Sequence, residues 1–174
     1  TNILAIFSRW GTDQLLLKQV GIFWKNDVGI AKAYTVASIK LVILISLTLA
    51  LLTTSLSKFI SIEIFGKPEL SNVLFWFGPL IIFFSVNYTL AESYKGTGRF
   101  ILATYLQNVA HVSIVFFLGL TFYSLEMFNL IIAIQCFSIA LFITLIISAS
   151  LWKKIIKTSV KQSIKIIQIF KQGW

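Results

Sequence analysis

The sequence predicts an all-α integral membrane protein: four transmembrane helices, an interfacial N-terminal segment and a basic amphipathic C-terminal helix. Three observations predict it. The 174 residues are 57% hydrophobic and only 12% charged, far more apolar than a soluble domain. Four continuous apolar stretches are long enough to cross about 30 Å of hydrocarbon at about 1.5 Å per residue. The net charge of +9 is clustered beside those stretches, where positive-inside topology and anionic headgroups both use it.

Residues 1–32 mix large apolar groups with charges too often for a transmembrane helix. They read as a membrane-surface segment of one or two short helices, interrupted near Gly11 and Gly21. Phe7, Trp10, Phe23 and Trp24 are its expected anchors, and Asp13, Lys18, Lys25 and Asp27 are expected to face water or headgroups. A cleaved signal peptide is not expected, because no compact apolar core with a small-residue cleavage site precedes a soluble domain.

The transmembrane domain covers residues 33–151, with spans expected at 33–56, 73–90, 100–123 and 128–151. Helices are the only form that fits, since the apolar residues are continuous and an open sheet edge would leave peptide groups unpaired in lipid. In the first span Lys40 lies near the start, where its stem reaches the headgroups. The second span is the weakest. Gly78 and Pro79 fall near its beginning, where proline costs few hydrogen bonds, so a cap or mild kink is expected. Spans three and four are separated by only four residues, from Ser124 to Met127, which makes them antiparallel neighbours.

Charge orients the bundle. Arg9, Lys18, Lys25, Lys32 and Lys40, then Lys95 and Arg99, then Lys153, Lys154, Lys157, Lys161, Lys165 and Lys171 place thirteen of the 15 bases on one side. Lys58 and Lys67 stand on the other, offset by Glu63, Glu69 and Glu126. Both termini are therefore expected to be cytoplasmic, in a bacterial inner membrane or an organellar one. In the tail, residues 152–174, Lys154, Lys157, Lys161 and Lys165 occupy one arc of a helix whose other side is rich in isoleucine. That tail, beginning at Trp152, suits anionic lipid or the docking of a cytoplasmic protein.

Inside the spans, Thr104, Gln107, Asn108 and His111 form the densest polar group, with Thr104, Asn108 and His111 sharing one face of a regular helix. Asn87 approaches from span two, where Gln107 or Tyr105 would be its partner, and Gln135 from span four. A polar seam through spans two, three and four is the expectation, either as hydrogen bonding between helices or as a hydrated path. His111 is its candidate proton sensor. No metal or other cofactor is expected: there is one histidine and one cysteine, Cys136, and a haem would need a more convincing ligand arrangement. Residues 92–99 contain Glu92, Lys95 and Arg99 around two glycines. They lack the spacing of a phosphate loop and are expected to form a tight connection between helices, with Lys95 and Arg99 available to lipid or a partner.

The function expected from this pattern is that of a non-catalytic accessory or scaffold subunit of a membrane complex, organising unlike membrane subunits and lipids. A small oligomeric channel or transporter component and a lipid-modifying enzyme working at residues 92–99 are the alternatives. Nucleic acid is not an expected partner, since the chain lacks the basic and aromatic groove pattern of known binding modules.

Overall fold

Hydrocarbon offers peptide groups no partners, so a spanning chain must bond its own backbone along each segment. The computed structural model describes residues 2–9 and 11–155, and every regular element in it is helical. Helices α1 (Asn2–Arg9) and α2 (Thr12–Phe23) precede α3 (Val28–Ser55). Helix α4 (Ser57–Phe59) runs into a π-helical turn (Ile60–Ile64), and α5 (Leu70–Gly96) follows. The next span is composite: α6 (Phe100–Thr104), a second π turn (Tyr105–Val109) and α7 (Ala110–Ser124). Helix α8 (Leu130–Ile155) completes the described chain. Four segments are long and apolar enough to cross a membrane: Val28–Ser55, Leu70–Gly96, Phe100–Ser124 and Leu130–Ile155. The protein is a multi-pass α-helical membrane protein.

The helices outrun the apolar stretches at identifiable signals. Asp27, expected to face water or headgroups, is exposed and also caps α3: its Oδ1 accepts from the N–H groups of Gly29 and Ile30 at 2.9 and 3.2 Å, which starts the helix five residues before position 33. Helix α5 continues to Gly96, so Glu92 and Lys95 belong to its last turns and the connection shrinks to Thr97, Gly98 and Arg99. Gly98 takes φ 82°, and the N–H groups of Gly98 and Arg99 close back on the carbonyls of Lys95 and Tyr94. The same closure ends α7, where Glu126 stands in the left-handed conformation at φ 56°. Pro79 is carried within α5 without ending it.

Helix α5 is the centre of the packing, touching α1, α2, α3, α6 and α8. Helix α3 carries a run of buried small side chains, including Ala31, which packs with Leu16 and Val20 of α2, Thr35, Ser38, Ser46, and Ala50, which lies against Gly78 of α5. At Gly78 α3 and α5 lie close together: a β-carbon there would fall 2.7 Å from Thr54 Cγ2. The main apolar cluster joins Val42 of α3, Val86, Leu90 and Tyr94 of α5, Leu106 and Ala110 of the third span, and Trp152 of α8. Helices α7 and α8 are neighbours, joined by the five-residue link 125–129.

Candidate functional site

The six intramembrane polar residues divide into an inner and an outer set. Asn87, Gln107 and His111 are buried, Gln135 is half-buried, and Thr104 and Asn108 lie exposed on the outside of the bundle. The π turn produces the split. A π turn holds more residues than an α turn and rotates less per residue, so it carries His111 away from the face of Thr104 and Asn108, which it shares in a regular helix. Gln107 and His111, on either side of the turn's end, stay together on the inner face.

Asn87 reaches neither Gln107 nor Tyr105. Its Nδ2 donates to the Leu141 carbonyl of α8 at 3.0 Å, and two turns further along α5 the Tyr94 hydroxyl donates to the Ser148 carbonyl at 2.6 Å. These bonds tie α5 to the backbone of α8 and leave the polar side chains of the six unbonded to one another, apart from Asn108 Nδ2, which donates to the Thr104 carbonyl of its own helix at 3.3 Å. What crosses the bundle is a line of rings. The Tyr88 ring stacks on Phe84 with centroids 4.6 Å apart; Phe84 meets His111 edge-on at 6.4 Å, and His111 meets Phe137 of α8 at 5.6 Å.

The other end of that line is charged. The Arg9 guanidinium lies 4.6 Å from the centre of the Tyr88 ring, donates through Nη1 to Asp13 at 2.6 Å and through Nε to the Ala5 carbonyl at 3.1 Å. Asp13, expected in water or headgroups, keeps only 24% of its side chain exposed, and one of its oxygens is buried without a hydrogen-bond partner. Beside it, Glu92 accepts from Lys95 at 2.6 Å. A serine and threonine stripe, Ser85, Thr89 and Ser93, runs along the same helix, with each hydroxyl returned to the carbonyl four residues earlier. Ser85 also meets the Ser8 hydroxyl at 2.6 Å. Sequence reasoning missed this cluster. Its signal is the matched spacing of four, Arg9 with Asp13 on one helix and Tyr88 with Glu92 on another, which becomes visible only when the two are known to be adjacent.

Among the residues expected to touch lipid or a partner, Trp152 is buried by this chain's own side chains, edge-on to Tyr94 at 5.2 Å and tilted against half-buried Trp24 at 6.4 Å. The helix runs straight through Trp152, which places the ring on the inner side of α8. Lys154 and Arg99 are exposed, and Lys95 is half-buried in its ion pair. Trp10, Lys157, Lys161 and Lys165 lie outside the described residues. Arg99 borders an open recess of about 690 Å³ lined by Phe100, Ile101, Leu102 and Tyr105 on the outside of α6. Among the described residues no group of three His, Cys, Asp or Glu side chains could hold a metal ion. No protein-family model, curated protein or solved structure matches the chain.

Proposed function

We propose that this chain is a non-catalytic subunit of a membrane complex, and that the outer face of α6 and α7 receives an unlike membrane helix. One observation carries the proposal: Asn108 is exposed on the outside of the third span, about 13 Å along the helix from Arg99. An amide has two donor hydrogens and a carbonyl acceptor, and Asn108 uses one donor within its own helix. Acyl chains supply nothing for the remainder, whereas a neighbouring helix does. Thr104 and Tyr105 are exposed on the same stretch, and the recess beside Arg99 adjoins it.

The inner polar groups support a scaffold over a conduction path. Asn87 and Tyr94 each donate to a backbone carbonyl of α8, Asn87 Oδ1 is buried without a hydrogen-bond partner, and His111 is packed edge-on between Phe84 and Phe137. Glu92 and Lys95 neutralise each other within α5.

A photoreactive benzophenone side chain at position 108, introduced in native membranes, tests the proposal, with position 146 on the exposed side of α8 as the lipid control. Crosslinking of a distinct membrane protein from position 108 is the expected outcome. Crosslinking to lipid alone, at the level of position 146, overturns the reading, and crosslinking to a second copy replaces the unlike partner with self-assembly.

A further inference from the structure

We infer that α1 and α2 together form a fifth membrane-embedded segment, a broken helix whose outer side, Ile3, Ile6 and Phe7, is in contact with lipid acyl chains. Its depth comes from three contacts with α5. Ser8 meets Ser85, Arg9 covers Tyr88, and a β-carbon at Gly96 would fall 2.7 Å from Val20. Residue numbers rise together on both helices, so the two run parallel, side by side. Lys95 on α5 and Lys153 with Lys154 on α8 mark one edge of the hydrocarbon. Ser85 is ten residues inward from Lys95, about 15 Å, which is the middle of a hydrocarbon layer of about 30 Å. Ser8 sits at that depth, and α1 extends six residues further in.

The surface of α1 fits that position. Ile3, Ile6 and Phe7 are 71, 59 and 57% exposed, as the lipid-facing residues of α7 are, with Phe116 at 61%. A helix lying in the headgroups would direct such residues toward the membrane and its charges toward water. Here the charges point inward: Arg9 is only 9% exposed and is paired with Asp13 against the Tyr88 ring. One positive and one negative group, neutralised together and facing the protein, is how an ionisable pair is tolerated below the headgroups. Lys18, closer to the edge, is exposed.

The break supplies an independent argument. Gly11 takes φ 73° and ends the regular backbone ladder between α1 and α2. A side chain from within the segment serves a carbonyl at the break: Thr12 Oγ1 donates to that of Arg9 at 2.5 Å. Water would do this at a surface. Internal donors are what an interrupted helix uses where water is absent.

Electron paramagnetic resonance on the full chain in phospholipid vesicles tests the inference, with spin labels at single cysteines in a Cys136→Ser background. Phe7→Cys is compared with Phe116→Cys, on the lipid face of α7, and with Lys18→Cys. Relaxation by oxygen, which concentrates in hydrocarbon, is measured against relaxation by a water-soluble nickel chelate. The expected result is that position 7 behaves as position 116 does, with oxygen favoured several-fold over its value at position 18. Nickel accessibility at position 7 equal to that at position 18 overturns the inference. If Phe7→Cys assembles poorly, Ile3→Cys reports on the same face with the same two outcomes.

Discussion

The inner side of α5 and the outer side of α6 and α7 are both rich in polar residues, and they are treated in opposite ways. On α5, Ser85, Asn87, Thr89, Ser93 and Tyr94 are all buried and bonded to backbone carbonyls or to α1. On the third span Thr104 and Asn108 are left on the surface. Asn87 and Tyr94 reach the backbone of α8 and Ser85 reaches the Ser8 hydroxyl of α1, whereas Thr89 and Ser93 bond within α5 and are covered by its neighbours. A span that packs against its own chain on one side only keeps the other side for something else. Burial of these polar groups marks partners within the same chain, and on the function proposed above the exposure of Thr104 and Asn108 marks a partner outside it.

Filling the closest contact breaks the inner side most severely. Gly96→Leu puts side-chain atoms into Val20 and against the Leu17 carbonyl, 3.2 Å from the position of the new β-carbon, and is expected to cost about 3 kcal/mol and to free α2 from α5. Reversible denaturation in mixed micelles measures the loss. Arg9→Met is expected to cost about 2 kcal/mol by leaving the Asp13 carboxylate without its cation, and Asp13→Asn in the same chain should recover most of it, a coupling that a double-mutant cycle reads. Tyr94→Phe removes one hydrogen bond to Ser148 and should cost about 1 kcal/mol in the same measurement. Asn108→Leu sharpens the comparison from the other side. It is expected to change the stability of the isolated chain by less than about 0.5 kcal/mol, as exposed substitutions do. The same variant should reduce recovery of the partner chain on gentle extraction, measured by native mass spectrometry. A large loss of stability in Asn108→Leu would erase the distinction between the two sides.

Much of the fold was legible in the sequence. The four spans, their helical form and the pairing of the last two follow from hydropathy, length and a four-residue link, all of which act locally along the chain. The site was legible in composition more than in arrangement. Asn87, Gln107 and His111 are buried as polar groups in a membrane must be, yet Asn87 chose a backbone carbonyl of α8, and the π turn moved His111 off the face of Thr104 and Asn108. Asp13 reads as a surface charge, and Arg9 as one of the bases of the cytoplasmic side, because their sequence neighbours are amphipathic. Their burial depends on α5 and its Tyr88 ring, seventy-five residues or more away in the chain.

The sequence by itself determined which segments cross the membrane, because hydrocarbon demands that each segment satisfy its own backbone and exclude charge along its length. The tertiary structure decided which helix is central, where the N-terminal helices lie and which polar residues are inside. Those outcomes depend on the fit of small side chains such as Gly78 against Ala50 and Thr54 and Gly96 against Leu17 and Val20. Hydropathy, which sums over each segment separately, carries no information about which surfaces fit together.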